Sequence, residues 1–156
     1  MQSLTIDAGL FISTFARDLP FNDEYPYSEY LDLKSGDIFR ICEDDEDAEI
    51  WEGMSAEENA ALRQTVVDNP DGYLEIPGLE HGDHHEILRE FLTSDWTDNE
   101  NLKSWAEKAY FGSIGGWKEK VDDDSAVSAF HNFRDRKTTQ MAEDFLRSHG
   151  VEPQWK

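Results

Sequence analysis

Basic residues and cysteine are both scarce in this sequence. The 156 residues include 14 Lys and Arg against 35 Asp and Glu, so the formal net charge at pH 7 is −21. A nucleic-acid backbone and an anionic membrane surface are both bound through basic side chains, and this balance argues against either as a direct partner. Cys42 is the single cysteine, which excludes an internal disulfide and a cysteine-based zinc site and favours a reducing compartment.

Long apolar runs and recognisable catalytic motifs are missing as well. No stretch approaches the roughly 18 consecutive apolar residues of a membrane-spanning helix, and we expect a cytoplasmic protein. Gly112, Gly115 and Gly116 lack the Lys-Ser/Thr ending of a phosphate-binding loop. Serine, histidine and aspartate show no nucleophile-elbow pattern. The sequence therefore predicts no catalytic residue and no cofactor.

Hydrophobic periodicity predicts a single α+β domain over residues 1–156. Alternating apolar residues on both sides of Gly36 predict a hairpin over about 28–42, in which the glycine supplies a positive φ at the turn. A short strand over about 73–76 joins this hairpin in a small antiparallel sheet. Four to six helices pack with the sheet and lie mostly in the C-terminal part of the chain.

Capping signals and apolar spacing give the positions of the helices. The helical spacing of Leu4, Phe11 and Phe15 predicts a helix near the start of the chain. Gly150 followed by Pro153 predicts a sharp stop near its end. Residues that favour the N-cap position begin four further helices, at Ser55, Asp83, Asp98 and Asp135.

The negative charge is confined to one part of the chain. Residues 1–100 carry 26 acidic and 5 basic residues, whereas residues 101–156 carry nine of each and are mostly predicted helix. The densest acidic stretch covers residues 41–62 and contains no base. Because the self-repulsion of such a stretch costs stability, we expect a benefit that offsets this cost.

Three interpretations of the acidic stretch compete. It is a solvated loop that keeps the protein in solution, an adaptation to a salty cytoplasm, or an acidic face that binds a basic partner protein. The neutral C-terminal third argues against salt adaptation, which should act on the whole surface. The extreme form of the third interpretation is a mimic of the nucleic-acid backbone, in which ten base pairs carry about 20 charges over about 34 Å.

Several blocks of the sequence together resemble one bacterial family. The blocks cover residues 30–37, 72–77, 87–92, 133–135 and 145–153. Their order and spacing resemble uncharacterised protein family 0158 over roughly residues 28–156. The resemblance implies a cytosolic bacterial α+β domain and implies no reaction. The sequence departs from the family pattern at Gly115 and Gly116, where relatives carry basic residues, so an anion-binding role of those bases would be lost or altered here.

A histidine cluster is a weak candidate for a metal site. The imidazole and carboxylate groups of His81, Asp83 and His85 suit zinc or another first-row metal. In a helix that begins at Asp83, however, His81 lies before the cap. We therefore favour an exposed helix start, and no metal is predicted.

Aromatic residues next to bases in the neutral part form a candidate ligand pocket. Trp117 precedes Lys118 and Phe133 precedes Arg134, and such pairs could bind a small anion or a partner. The competing interpretation places the aromatic rings in the core, with the two bases extending outward to the surface.

These observations favour a non-enzymatic acidic interaction protein that binds a basic surface on another protein. A nucleic-acid-binding protein, a nuclease or a toxin has such a surface, and a nucleic-acid mimic would inhibit or regulate it. The predicted partner-binding residues are Glu43, Asp44, Asp45, Glu46, Asp47, Glu49 and Glu52. The alternative is a divalent-metal-dependent hydrolase that uses clustered acidic residues, although no pair of carboxylates stands out in the sequence.

Overall fold

The computed structural model describes residues 1–17, 27–49 and 53–156. These residues form two compact units, of which the first contains residues 1–79 and 142–156 and the second contains residues 80–141. The expectation of a single domain over residues 1–156 stays a prediction. The described residues contain six α-helices, a three-stranded antiparallel sheet and a two-stranded parallel sheet, which confirms the α+β class with mostly C-terminal helices.

The first unit is built around the antiparallel sheet. Its elements are strands β1 Gln2–Ile6, β2 Tyr27–Asp32, β3 Ile38–Cys42, β4 Tyr73–Glu75 and β5 Val151–Trp155, with helices α1 Ala8–Phe15 and α2 Ala56–Asp68. Strands β2 and β3 form the predicted hairpin, and β4 pairs antiparallel with β2. The strand order β3-β2-β4 leaves β3 at an edge of the sheet. The predicted hairpin and third strand are therefore confirmed.

The two ends of the chain form a parallel strand pair. Gln2 lies opposite Val151 and Ile6 lies opposite Trp155, so β1 and β5 run side by side. The predicted helix near the start begins only at Ala8, so that prediction was wrong for residues 4–7. The predicted stop at Gly150 is confirmed, because the final helix ends at Ser148 and Gly150 has φ +79°. Neither β1 nor β5 was predicted, because strands of five residues give a weak alternation and pairing between distant segments leaves no local signal.

A buried carboxylate ties the hairpin to the end of the first helix. Glu29 in β2 is 1% exposed, and its two oxygens lie 3.4 Å from Arg17 Nη1 and 3.3 Å from Arg40 Nε. The Arg17 guanidinium also donates to the backbone oxygens of Thr14 at 2.8 Å and Ile76 at 3.1 Å. Removing one partner of such a buried ion pair leaves an uncompensated charge, so these groups fix one geometry for the unit.

The second unit is helical and packs around aromatic rings. Its helices are α3 His81–Thr93, α4 Glu100–Ala109, α5 Ile114–Val121 and α6 Asp124–Ser148, of which α6 continues into residues of the first unit. Phe91 is fully buried, with its ring centroid 5.6 Å from that of Phe130 and 6.1 Å from that of Trp117. No helix in the described ranges has both the length and the apolar character that crossing a membrane requires.

Helix starts follow the capping signals only in part. Ser55 Oγ accepts the Glu58 N–H at 3.1 Å, which confirms the predicted start of α2. The start predicted at Asp83 was wrong, because Glu80 is the N-cap of α3 and Asp83 is its third residue. Asp98 and Asp135 were also wrong: Asn99 caps α4, and α6 is one helix of 25 residues. Since residues 124–148 contain neither Gly nor Pro, nothing in them interrupts that helix.

The hairpin turn lies against β1, and a substitution in the turn tests this contact. Gly36 has φ +82°, and a Cβ at this position would overlap the carbonyl oxygen of Thr5 in β1. Because both the left-handed conformation and the overlap penalise a side chain, Gly36→Ala should lower the free energy of unfolding by more than about 2 kcal/mol. Urea unfolding followed by circular dichroism measures this change.

Gly9→Ala is the matched control in the same unit. Gly9 lies in α1, and a Cβ there would meet only Asp7 Oδ1 at an ordinary 3.6 Å. This substitution should leave stability unchanged or raise it by up to about 1 kcal/mol. Equal effects of the two substitutions would contradict the packing of the turn against β1.

Candidate functional site

The acidic segment, residues 43–49, leaves the sheet at the end of β3. Residues Asp45–Asp47 form one 3-10 turn, which Asp44 caps because its Oδ1 accepts the Glu46 N–H at 3.0 Å. Ala48 is fully buried beneath the turn. The segment is thus a structured connection that is anchored at both ends of the turn.

A buried amide on α2 holds the last residue of β3, directly before the acidic segment. Asn59 is 1% exposed, and its Oδ1 accepts the Cys42 N–H at 2.8 Å while its Nδ2 donates to the Cys42 carbonyl at 3.0 Å. These two bonds reproduce the pairing that a neighbouring strand would give to the open edge of β3. Nδ2 also lies 2.6 Å from Asp45 Oδ1, so one side chain connects the strand and the turn.

Arg63 strengthens the same attachment one helical turn later. Its Nη1 donates to Asp45 Oδ1 at 2.6 Å and its Nη2 donates to the Cys42 carbonyl at 2.7 Å. The hydrogen bonds from Asn59 and Arg63 lower the pKa of the Asp45 carboxyl below its ordinary value of 3.8. Asn59 and Arg63 together form what we call the α2 clamp.

Most of the other carboxylates of the segment face solvent. Glu43, Asp44, Glu46 and Glu49 are exposed, whereas Asp45 and Asp47 are half-buried. An open concavity is lined by Ala56 and by five of the predicted partner-binding residues, Glu43, Asp44, Asp45, Glu46 and Asp47. Of the other two predicted residues, Glu49 does not line this concavity and Glu52 lies outside the described residues. The structure therefore brings these five residues to one surface. The side chain of Asp45 attaches that surface to α2.

The histidines of the weak metal candidate are closer than the sequence indicated. Because α3 begins at His81, this residue and His85 lie on the same helix face, with their Nε2 atoms 2.8 Å apart. Asp83 does not join them, since its Oδ2 accepts the Glu80 N–H at 2.9 Å in the capping box. The expectation that His81 precedes the helix was therefore wrong.

Carboxylates that converge on one point would be required for the hydrolase alternative. Within residues 1–17, 27–49 and 53–156, no group of three or more His, Cys, Asp or Glu side chains could hold a metal ion. The carboxylates that line the concavity also come from consecutive residues of one segment. The described residues thus provide no group of three metal ligands for the hydrolase alternative, which stays a prediction.

The candidate ligand pocket is divided in the structure. Trp117 is fully buried, and its Nε1–H donates to the Ala106 carbonyl at 2.9 Å, so it is a core residue. The cationic atoms of Lys118 and Arg134 each lie 5.9 Å from the ring centroid of Phe130. Burial, and then the nearby Arg134 guanidinium, lower the pKa of Lys118.

Phe133 lies apart from these bases. Its ring packs 5.6 Å from that of Phe91, and it lines a separate concavity of about 360 Å³ together with Trp96 and Arg136. The structure therefore brings Lys118 and Arg134 to the ring of Phe130, against which the buried Trp117 also packs at 5.4 Å, and places Phe133 at the separate concavity.

Sequence reasoning missed the residues that position the acidic segment. Asn59 appears in the sequence as one polar residue of a weakly amphipathic helix, and no local pattern marks it as buried. Arg63 is the first base after the acidic stretch, which is the only signal that could have indicated it. Tyr110, whose hydroxyl is hydrogen-bonded to His85 Nδ1, follows α4 without any motif.

Comparisons of the chain with protein-family models, curated proteins and solved structures found no match. The resemblance to uncharacterised protein family 0158 accordingly stays a prediction.

The pH dependence of stability tests the clamp at Asp45. Because the folded-state pKa of Asp45 is depressed, its contribution is present above 3.8 and is lost as the pH falls toward the folded-state pKa. The stability difference between wild type and Asp45→Asn should therefore be largest at neutral pH and shrink below about pH 4. Urea midpoints across this range measure the difference.

Glu46→Gln is the matched control, because it removes an exposed carboxylate from the same segment. Its stability difference from wild type should stay near zero across the same range of pH. A stability difference between wild type and Asp45→Asn that stays constant or grows toward low pH would contradict the clamp.

Proposed function

We propose that this is a non-enzymatic interaction protein of the bacterial cytoplasm, whose acidic segment binds a basic surface on a partner protein. The observation that carries the proposal is the concavity lined by five consecutive acidic residues, 43–47, a segment that the α2 clamp attaches at Cys42, Glu43 and Asp45. The buried single thiol of Cys42 suits a reducing compartment.

A fixed backbone supports binding more than the charge alone does. Ordering a loose loop on binding costs about 0.5–1.5 kcal/mol for each immobilised side chain, in addition to the backbone entropy. Asn59 and Arg63 order the start of the segment before any partner arrives. Complementary charge then speeds association and makes it sensitive to salt.

The spacing of the carboxylates favours a nucleic-acid-binding partner. Successive residues rise about 3.3 Å in extended chain and about 2.0 Å in a 3-10 turn, so the acidic residues 43–47 carry one charge every 2–3 Å. One strand of duplex DNA carries one charge about every 3.4 Å. A basic surface that fits a phosphate backbone therefore meets a similar charge density at residues 43–47. A nuclease, a nucleic-acid-binding protein or a toxin has such a basic surface.

Two charge-matched triple variants test where binding occurs. The first variant combines Glu43→Gln, Glu46→Gln and Glu49→Gln in the acidic segment. The second variant combines Asp98→Asn, Glu100→Gln and Glu107→Gln, three exposed residues of the second unit. Calorimetric titration with a short arginine-rich peptide should show about tenfold weaker binding for the first variant, corresponding to about 1.4 kcal/mol. The second variant should bind within about twofold of wild type.

Salt dependence completes the test. Raising the salt from about 0.1 M to about 1 M shortens the Debye length from about 10 Å to about 3 Å, so peptide binding should be lost. Equal losses for the two variants would show that total charge, and not the acidic segment, drives binding. Binding that is indifferent to salt would likewise contradict the proposal.

A further inference from the structure

The structure pairs two histidines whose ring nitrogens converge. His81 and His85 are the first and fifth residues of α3, and residues four apart lie on one helix face. Their rings lie 4.5 Å apart between centroids at 67°, with the two Nε2 atoms 2.8 Å from each other. Two histidines four residues apart on one helix can bind a single metal ion together, as in helical His-x-x-x-His sites.

A tyrosine orients the inner histidine of the pair. His85 is 8% exposed, and its Nδ1 is hydrogen-bonded to the hydroxyl of Tyr110. When Nδ1–H donates to that hydroxyl, Nε2 of His85 is unprotonated and carries the lone pair that a metal requires. Metal-binding histidines in proteins are oriented in the same way, since their second ring nitrogen donates to a neighbouring oxygen.

We propose that His81 and His85 form a bidentate site for Cu²⁺ or Ni²⁺. Bonds of about 2.0–2.1 Å from a metal to two nitrogens 2.8 Å apart enclose an angle of roughly 90°. This is the angle of square-planar and octahedral coordination, whereas tetrahedral zinc requires nitrogens about 3.3 Å apart. Imidazole affinity also rises from Zn²⁺ and Ni²⁺ to Cu²⁺, so geometry and intrinsic affinity point to the same metals.

The surrounding charges favour a cation. The N-terminal end of a helix carries a partial positive charge, which opposes a bound metal. Two carboxylates at the start of α3, Glu80 and Asp83, oppose that field, whereas Glu86 is paired with Arg89 at 3.4 Å. Arg89 also lies over the ring of Tyr110 at 5.9 Å. Water would complete the coordination, because the described residues supply no third ligand.

Copper titration of the 156-residue chain tests this site, which is independent of the proposed function. Isothermal calorimetry with Cu²⁺ should give one site, and electron paramagnetic resonance should show coupling to two imidazole nitrogens. His81→Ala should weaken binding by at least about tenfold and remove the two-nitrogen signal. His81 is half-buried at the start of the helix, and circular dichroism checks that this variant folds.

His84→Ala is the matched control, because His84 lies on the same helical turn and points about 100° away from His85. This variant should bind Cu²⁺ within about twofold of wild type. Tyr110→Phe should bind more weakly while retaining the two-nitrogen signal, because it removes only the partner of His85 Nδ1.

Three results would overturn the proposal. One is undiminished copper binding by His81→Ala, and another is an equal loss of binding by His84→Ala. The third is tighter binding of Zn²⁺ than of Ni²⁺, because the 2.8 Å separation favours a right-angled pair of ligands.

Discussion

The attachment of Cys42 to α2 is the constraint on which the acidic segment depends. Strand β3 lies at the edge of its sheet and ends at Cys42, where the chain turns into a run of carboxylates that repel each other. The buried amide of Asn59 binds both backbone groups of Cys42 and also reaches Asp45. The helix therefore takes the place of a further strand and fixes the direction in which the acidic residues leave the sheet.

The few bases of the N-terminal part compensate specific carboxylates. Of the five bases in residues 1–100, four lie in ion pairs: Arg17 and Arg40 with Glu29, Arg63 with Asp45, and Arg89 with Glu86. The pairs at Glu29 and Asp45 hold the hairpin and the acidic turn. The large excess of acidic residues lies outside these pairs, and the exposed carboxylates of residues 43–49 belong to that excess. Stability and surface charge thus depend on different acidic residues of one unit.

Local patterns predicted the elements that carry local signals. The hairpin followed from its alternation and from Gly36, and the start of α2 followed from Ser55. Non-local pairing escaped prediction: β1 and β5 meet across nearly the whole chain, and Asn59 is buried only because β3 presents an unpaired edge. The histidine pair was missed because a shift of two residues in one helix start placed His81 outside the helix. The clustered acids were visible in the sequence, whereas the side chains that fix their geometry were not.

Amide hydrogen exchange at Cys42 tests most directly whether α2 holds the acidic segment. The N–H of Cys42 donates to the side chain of Asn59, so its protection reports on this attachment and not on the hairpin ladder. We expect slow exchange at Cys42 in the wild type and fast exchange in Asn59→Ala, while the amides paired between β2 and β3 stay protected in both proteins. Fast exchange at Cys42 in the wild type would contradict the account.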